Sequence, residues 1–405
     1  MKILLLAPHP FYQERGTPID VHLVLRVLSE RPNTKVDLLV YNEGENVSLP
    51  NLRIFRIRNL KYLQNIRPGF SFKKLVADFL MFFKAWKMVS NEDYDLIHAG
   101  EESVFFALFF KIIYRIPYVY DLDSSIAQQI VEKKPTLQFL APVFNFFEKI
   151  AIINAELNLP VCNALADLCA NQGSKQTVTI HDISQLKNPG AQSNGFLKKE
   201  IGIKKDILMY IGNLEAYQGI DLLLESFQLA CKKTDKIDLV IIGGNLLDIE
   251  FYKEKSIALG IENRVHFLGP RPFNLLDEYL AEADIIVCPR IKGVNTPMKI
   301  FPYLHSGKPV IATDLYTHNQ ILSEKEAYLT PANAKGFSKA IVALTESIEL
   351  RKKYGKNGQK FIEENHTYES HKERLNGAYN LLSKKAITTF MLLELTKNCI
   401  EFLIT

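Results

Sequence analysis

The chain has 405 residues, which is too long for one ordinary hydrophobic core and suits two domains. With 47% hydrophobic and 23% charged residues, its composition is that of a globular protein. A net charge of +4 from dispersed lysines argues against nucleic acid as a partner. The five cysteines are odd in number and lack C-x-x-C spacing, so we expect neither a zinc site nor a disulfide framework, and a reducing, cytoplasmic location.

The amino terminus, "MKILLLAPHP", carries one lysine and a short apolar run that stops at a proline. This indicates a first buried strand rather than a signal peptide. The most apolar stretch, residues 104–120, is "VFFALFFKIIYRIPYVY". Lys111, Arg115 and Pro117 interrupt it, whereas a membrane span requires about 20 apolar residues. We therefore expect a buried helix that leads into a strand.

Short apolar runs alternate with helical patterns through the first half of the chain. Strands are predicted at "KILLLA", "KVDLLVY", "NLRIFRI", "YDLIHA" and "PYVYDLD", and the first helix places Val21, Val24, Leu25 and Leu28 on one face. Near-continuous apolar strands separated by helices indicate a parallel sheet covered on both faces. This sheet forms the first predicted domain, residues 1–185.

The pattern restarts after a polar, turn-rich linker at residues 186–195. Strands follow at "ILMYIGNL", "DLVIIGG", "VHFLG", "DIIVCPR" and "PVIATD". We predict an α/β protein of two doubly wound, Rossmann-like parallel-sheet domains that face each other across a cleft, the second spanning residues 186–365. Residues 366–405 form a predicted helical region. Its apolar tail, from residue 384, either crosses back to the first domain, binds a partner or extends without order.

Glycines mark several predicted strand ends. Gly16 and Thr17 form the turn after the first strand, where backbone N–H groups approach a ligand or simply connect strand to helix. Gly212 and Gly219 bracket the loop after the first strand of the second domain, and Gly243 ends the next strand. Ligands of doubly wound sheets bind at this edge, so the turns predict a phosphate or sugar site there.

Three cations lie within ten residues of the segment "RIKGVNTPMK". Arg290, Lys292 and Lys299 surround a loop that leads into a helix predicted to begin near Thr296 and Pro297. Free N–H groups at a helix start and nearby cations both stabilise an anion, and together they suffice to neutralise a diphosphate. The alternative is that the two lysines are ordinary solvent-exposed charges.

Acidic and hydroxyl side chains follow the fifth predicted strand in "DLDSSIAQQ". Asp121 and Asp123 stand two residues apart, so they could provide a general base or bind sugar hydroxyls. Ser124 or Ser125 is expected to cap the next helix, and both roles are compatible.

Another acidic pair follows the fourth predicted strand. Glu101 and Glu102 are either first-turn acids that suit the helix dipole or contacts to an acceptor. We favour the helix-dipole interpretation. His98, at the end of that strand, has the pattern of a core histidine with satisfied hydrogen bonds.

Basic and aromatic residues are mixed in residues 56–88, "RIRNLKYLQNIRPGFSFKKLVADFLMFFKAWKM". Basic residues beside exposed aromatics would bind an anionic membrane surface. Alternatively, the aromatics belong to the core and the lysines cover the wet face of a helix. The sequence leaves both interpretations open.

The order "YIGNLEAYQGIDLLL", "VIIGG", "VHFLG", "YLAEADIIVCPR" and "TPMKIFPYLHSGKPVIATD" resembles the C-terminal half of retaining GT-B glycosyltransferases of family 4, also called glycosyl transferases group 1. The segments "RGTPIDVHLVLRVLSE" and "DYDLIHAGEESVFFALFFKIIYRIPYVYDLDSS" resemble the N-terminal half of a bacterial subgroup. The resemblance extends to about Ser383.

The resemblance implies retaining transfer of a sugar from a nucleotide-diphosphate sugar, without metal or other cofactor. It implies a donor site in the second domain and a glycan or lipid-linked acceptor at the first, in the assembly of surface polysaccharide or glycolipid at the inner face of the plasma membrane. The catalytic residues would be Asp123, Lys299 and Arg290. The donor-binding residues would be Gly16, Thr17, Gly212, Asn213, Gln218, Gly243, Lys292, Thr296, Pro297 and Tyr303. The acceptor-side residues would be Arg15, Glu101, Asp121 and Ser124.

The sequence also departs from the family pattern. Asn213 and Gln218 stand where that pattern has an arginine and a lysine for the diphosphate. Val294 and Pro302 replace its two glutamates, and Asp123 replaces a histidine near the reacting sugar. Either the site is rebuilt around the cations of residues 290–299, or the chain is a catalytically inactive GT-B-like protein that binds a glycan or a partner glycosyltransferase. Another GT-B enzyme, such as an epimerase or phosphorylase, is a third alternative.

Overall fold

The computed structural model describes residues 1–13, 16–66, 71–133 and 135–382, so the predicted tail from residue 384 lies outside the described residues. The chain divides into two compact units. The N-terminal unit comprises residues 1–181 and the described chain from His371, and the C-terminal unit is Asp182–Ser370. The backbone therefore passes between the units twice.

The N-terminal unit contains a parallel six-stranded sheet in the order β3-β2-β1-β4-β5-β6. Its central strands are buried on both faces, which explains why their sequences are apolar without alternation. The strands are β1 (Lys2–Ala7), β2 (Lys35–Val40), β3 (Leu52–Arg56), β4 (Leu96–Gly100), β5 (Tyr118–Leu122) and β6 (Leu157–Pro160).

Helices connect these strands and cover the sheet. The helices are α1 (Gly16–Glu30), α2 (Phe72–Asn91), α3 (Val104–Tyr114), α4 (Ile126–Lys133), α5 (Ala141–Asn154) and α6 (Asn163–Gln172), with 3-10 turns at Glu101–Ser103 and Pro135–Leu140. Helix α2 buries Ala77, Met81 and Ala85 against the sheet and exposes Phe79 and Phe83. Phe82 and Trp86 of the same helix are partly buried and pack against the core, so its aromatics are divided between core and surface.

The C-terminal unit repeats this topology, with the order β12-β11-β10-β7-β8-β9. Reading outwards from the first strand of each sheet, the two orders are the same, and both are those of a doubly wound fold. The strands are β7 (Asp206–Ile211), β8 (Ile237–Ile242), β9 (Val265–Gly269), β10 (Ile285–Cys288), β11 (Val310–Thr313) and β12 (Tyr328–Thr330). Two Rossmann-like domains, as the sequence predicted, are confirmed.

The helices of this unit again cover both faces of the sheet. They are α7 (Phe196–Ile201), α8 (Ile220–Cys231), α9 (Leu246–Ala258), α10 (Leu276–Glu282), α11 (Ile300–His305), α12 (Tyr316–Asn319), α13 (Ala334–Glu346) and α14 (Ile348–Asn365), with 3-10 turns at Ala216–Gln218, Glu262–Arg264 and Phe273–Leu275. Because all strands of a sheet are parallel, their carboxyl ends meet at one edge, which positions the loops discussed below.

A last helix, described over residues 368–382, returns to the N-terminal unit. Tyr379 is fully buried there, and its hydroxyl lies 2.7 Å from Nδ1 of His98 in β4. Arg31 donates to Asn376 Oδ1 at 3.0 Å, and Lys372 forms an ion pair with Glu30. Part of the N-terminal core is therefore supplied from the far end of the sequence.

Candidate functional site

Closely packed glycines shape the carboxyl edge of the C-terminal sheet. Gly212 follows β7 with a φ of +155°, and a Cβ there would lie 2.4 Å from Lys299 Nζ. Gly243 follows β8 with a φ of +110°, and a Cβ there would lie 2.1 Å from the Gly212 carbonyl oxygen. Gly212 therefore brings backbone against a buried lysine, and Gly243 lets the next strand end pack directly on Gly212.

Lys299 is the central charge of this edge. Its Nζ lies 2.9 Å from the Tyr210 hydroxyl and donates to Gln218 Oε1 at 3.0 Å, and it stands over the Tyr210 ring. No carboxylate pairs with it among the residues that the structure describes. Burial lowers the pKa of Lys299 to about 8, because the ammonium loses water without gaining a counter-ion. An anion would supply the missing partner.

Two tyrosines hold the loop around this lysine. The Tyr210 hydroxyl donates to the Asn213 carbonyl at 2.6 Å, and the Asn213 side chain is exposed. The Tyr303 hydroxyl donates to the Ile211 carbonyl at 2.6 Å and accepts from the Ile211 N–H at 2.9 Å. Tyr303 was expected to contact the donor, but it is 1% exposed and its hydroxyl is occupied by β7. It is a positioning residue instead.

Arg290 is fixed beside the same edge. Its guanidinium lies over the Tyr217 ring, 5.2 Å from the centroid, and its Nε donates to the Lys292 carbonyl at 2.8 Å. Lys292 itself is exposed. A Cβ on Gly293 would lie 2.3 Å from Arg290, so the loop folds tightly around the guanidinium. Of the two charges, Arg290 is the one held in a defined place.

Helix α11 begins at Ile300 rather than near Thr296 and Pro297 as predicted. The Ile300 N–H donates to the Pro297 carbonyl, three residues back, so the chain first makes a tighter turn. Pro302 has no N–H to donate to the carbonyl four residues before it, which delays the regular helix. The predicted helix-start anion site is thus displaced. The Thr296 hydroxyl is buried and has no hydrogen-bond partner within the described ranges.

The carboxyl edge of the N-terminal sheet has the opposite electrostatic character. Lys74 Nζ lies 3.0 Å from Glu101 Oε2 and 2.7 Å from Glu102 Oε1. The Thr17 hydroxyl donates to Glu101 at 3.3 Å, just after α1 starts at Gly16, whose φ is +28°. Glu101 and Glu102 form the 3-10 turn that precedes α3, where the helix-dipole interpretation had placed them. Their carboxylates also bind a lysine, which that interpretation did not include.

The two acids at the end of β5, Asp121 within the strand and Asp123 just after it, occupy different environments. Asp121 Oδ2 lies 2.9 Å from His98 Nε2, and the other ring nitrogen of His98 meets Tyr379, as expected for a core histidine with satisfied hydrogen bonds. Burial, together with neighbouring Asp20 and Asp121, raises the pKa of Asp123 well above its usual range. Burial thus disfavours the charged carboxylate, which suits hydrogen bonding to a hydroxyl better than general-base catalysis.

Of the two serines, Ser125 caps α4. Its hydroxyl accepts from the Gln128 N–H at 3.2 Å and donates to buried Glu148 at 2.8 Å. Glu148 also accepts from the Ile126 N–H at 2.7 Å, which places a carboxylate at the start of the helix. Ser124 accepts from a glutamine side chain within α4. Arg15, predicted on the acceptor side, lies outside the described residues.

Sequence reasoning missed the roles of Lys74, Asp78 and Tyr210. Lys74 was grouped with the membrane-facing lysines, although its side chain is 13% exposed and paired with carboxylates. One signal was present, since Asp78 is the single acidic residue of the sequence of α2 and stands four residues after Lys74. Tyr210 gave no signal, because a tyrosine in a buried strand is ordinary core.

Comparison with solved structures decides the fold. Sucrose-phosphate synthase from Thermosynechococcus elongatus aligns with a TM-score of 0.74 at 18% identity, covering 95% of this chain and 99% of that one. Anabaena HepE, solved with UDP-glucose, aligns with a TM-score of 0.73 at 17% identity, covering 94% and 99%. The chain has the GT-B fold. How the two units of this GT-B chain face each other remains a prediction.

Sequence comparison supports a relationship for the C-terminal unit. Residues 194–361 match the family model described as glycosyl transferases group 1. D-inositol 3-phosphate glycosyltransferase of Corynebacterium diphtheriae is 27% identical over 151 residues, which cover 35% of this chain and 35% of that protein. Phosphatidyl-myo-inositol mannosyltransferase of Mycobacterium leprae is 27% identical over 150 residues, covering 36% and 39%. The segments of this chain that match cover less than half the length of either relative.

Proposed function

We propose that this GT-B protein is a retaining, metal-independent glycosyltransferase that moves a sugar from a nucleotide-diphosphate sugar to a glycan or lipid-linked acceptor. The observation that carries the proposal is Lys299, a buried ammonium whose partners are the neutral oxygens of Tyr210 and Gln218. A diphosphate is the ligand that this charge lacks, and stabilising a diphosphate leaving group is what such a transfer requires.

The position of Lys299 also supports a rebuilt donor site. The family pattern that the sequence resembles has its lysine at the position of Gln218. Lys299 Nζ lies 3.0 Å from Gln218 Oε1, so a positive charge occupies nearly the same place from another part of the chain. Arg290, held over Tyr217, supplies the second cation. Solved relatives of the same fold bind UDP and UDP-glucose, which makes a uridine nucleotide the first donor to test.

We place the acceptor at the N-terminal unit, at the carboxyl ends of β4 and β5, which carry Glu101, Asp121, Asp123 and Ser124. Asp123, whose pKa is raised by burial, is assigned to hydrogen-bond an acceptor hydroxyl. A glycan or lipid-linked acceptor would place the protein in surface polysaccharide or glycolipid assembly.

We further propose peripheral contact with the inner face of the plasma membrane through α2. Phe72 and Phe79 are 70% and 62% exposed, and Lys87 on the same helix is exposed. Exposed aromatics with lysines suit an anionic lipid surface. In the described part of the chain, no helix combines the length and apolarity needed to cross a membrane. Co-sedimentation with anionic vesicles, compared with neutral ones, tests this contact.

Thermal unfolding against a panel of nucleoside diphosphates tests the proposed function. UDP, GDP and ADP are each added to the full chain, and a ligand that binds the folded state raises the melting temperature by mass action. We expect one of them to do so, and the corresponding nucleotide sugars then enter a product assay by mass spectrometry. No shift with any nucleotide would favour the catalytically inactive alternative.

A further inference from the structure

A cavity of about 210 Å³ lies within the N-terminal unit, between α2, the turn Glu101–Ser103 and α4. Its size is below the roughly 300–1,000 Å³ of pockets that enclose whole drug-sized ligands, so it fits one terminal group of a larger molecule. One side is apolar and the other is charged. The lining residues are Ser71, Lys74, Leu75, Asp78, Glu101, Glu102, Phe105, Ser124, Ile126, Gln129 and Ile130.

Negative charge exceeds positive charge in this cavity. Among its described lining residues, three carboxylates, those of Asp78, Glu101 and Glu102, accompany one cation, Lys74. Lys74 is committed to Glu101 and Glu102 at 3.0 and 2.7 Å, and Asp78 accepts a hydrogen bond from the Tyr41 hydroxyl. An anionic group would therefore meet carboxylates and a lysine that is already paired.

The protonation of the three acids shows the same imbalance. Burial raises the pKa of Glu102 to about 8, with Glu101 and Asp78 adding to the effect. Burial also raises the pKa of Asp78 to about 6. Although burial alone would raise it, the Lys74 ammonium holds the pKa of Glu101 below its ordinary value. One lysine thus keeps Glu101 ionised but leaves Glu102 with a raised pKa and a hydrogen bond to Asp78, so a further cation at this place would replace the proton of Glu102.

A metal ion is a poor candidate for the missing charge. No group of three or more described histidine, cysteine, aspartate or glutamate side chains has the arrangement needed to hold one. The apolar side, formed by Leu75, Phe105 and Ile126, instead suits the carbon skeleton of an organic cation. A protonated amine also brings several N–H donors, which two carboxylates can accept.

We propose that the cavity binds a protonated amine on the acceptor, so that the acceptor's terminal group is an amino sugar or a comparable hydroxylated amine. The ammonium lies beside Glu102 and Asp78, in place of the proton that Glu102 releases to solvent, and the carbon skeleton lies against Leu75 and Phe105. The identification of the ligand as the acceptor rests on the proposed function. The preference of the cavity for an amine does not, because binding is measured without any sugar transfer.

Saturation-transfer NMR with D-glucosamine as the probe tests this preference on the full chain. D-glucose and N-acetylglucosamine are matched controls, because the first lacks the nitrogen and the second carries it without charge. A charge-assisted hydrogen bond adds about 1.4 kcal/mol over a neutral one, so glucosamine should bind about tenfold more tightly than either. Equal binding of glucosamine and glucose, or binding of none of the three, overturns the proposal.

Variants locate the binding within the cavity. Glu102→Gln removes, at constant shape, the carboxyl that can ionise beside a bound ammonium, and should lower glucosamine affinity to that of glucose. Asp93→Asn, at an exposed position of the same unit, removes one charge elsewhere and should leave the preference unchanged. Asp78→Asn serves as the second variant if Glu102→Gln melts below the parent. Glucosamine binding that survives in Glu102→Gln and Asp78→Asn would place the amine outside this cavity.

The nucleotide experiment separates this inference from the proposed function. Nucleoside diphosphate binding is measured on the same samples, through a site on the other unit. If a nucleoside diphosphate raises the melting temperature but glucosamine binds no more tightly than glucose, only the amine proposal is rejected. If glucosamine is preferred but no nucleoside diphosphate raises the melting temperature, the glycosyltransferase proposal is rejected and the chain is an amine-binding protein.

Discussion

The two units share one topology, and each brings a lysine to the carboxyl edge of its sheet, but the surroundings of these lysines are opposite. Lys74 lies 3.0 and 2.7 Å from two carboxylates. Lys299 lies 2.9 and 3.0 Å from a hydroxyl and an amide oxygen. The fold thus determines where a charge sits, while the residues around it determine whether that charge is already neutralised or still requires an anion.

The same substitution in the two units should have opposite effects on stability. Lys74→Met leaves Glu101, Glu102 and Asp78 without a cation, and breaking a buried ion pair from one side typically costs about 3–5 kcal/mol. We expect the N-terminal unit to unfold at clearly lower urea concentration. Lys87→Met, at an exposed position of the same helix, is the matched control, because exposed surface substitutions usually change stability by less than about 0.5 kcal/mol. Equal effects of the two variants would show that the cluster contributes nothing to stability.

Lys299→Met should instead leave the C-terminal unit at least as stable as the parent, because it removes a buried charge that has no described counter-ion. Nucleotide binding should weaken by about 30-fold, which corresponds to about 2 kcal/mol for a hydrogen bond to a charged group. Isothermal titration with the nucleotide identified above measures this. Lys292→Met, at an exposed position, should cost no more than about threefold. Similar losses of nucleotide affinity in both variants would show that Lys299 is not the main cation that binds the nucleotide.

The pH dependence provides an independent check on Lys299. Its pKa is lowered to about 8 in the folded protein, so nucleotide affinity should fall as the pH rises through about 8 and the ammonium loses its proton. Between about pH 8 and the unfolded value near 10.4, the unfolded chain binds the additional proton, so the stability contribution of this lysine should rise with pH. Lys299→Met should abolish both trends.

The smallest expected effect concerns the tyrosine that positions the donor edge. Tyr303→Phe leaves the N–H and carbonyl of Ile211 without their partner and should cost about 1–2 kcal/mol of stability. Nucleotide affinity should fall only a few-fold, since Lys299 stays in place. Tyr354→Phe, at a half-buried tyrosine of α14, is the control. A loss of affinity as large as that of Lys299→Met would mean that Tyr303 contacts the ligand directly.

The sequence was sufficient to predict the architecture. The predicted strands are continuously apolar and are separated by amphipathic helices, as in Lys2–Ala7 and Ile237–Ile242. This pattern is typical of parallel sheets covered on both faces. The strand-end glycines were equally informative. Gly212 and Gly243 have positive φ and pack against Lys299 or each other, which is a local requirement that the sequence records directly.

The charge clusters could not be predicted in the same way. Lys74 and Glu101 are 27 residues apart in sequence, and their contact depends on how α2 is rotated about its axis. Helix α2 has aromatics on its buried and exposed sides, so periodicity alone does not fix that rotation. The predicted start of α11 was wrong for a local reason, because Pro302 lacks the N–H that a helix beginning near Thr296 requires at that position.

The double passage of the chain also decides how this protein can be divided for study. Asp182–Ser370 is a continuous stretch, so one cut at each end separates it from the rest of the sequence. A fragment that stops at residue 181 would lack Tyr379. The imidazole of His98, which pairs with the Tyr379 hydroxyl, would then be exposed to solvent. To isolate the amino-terminal half, the returning helix has to be joined to it by a short engineered bridge in place of the excised half.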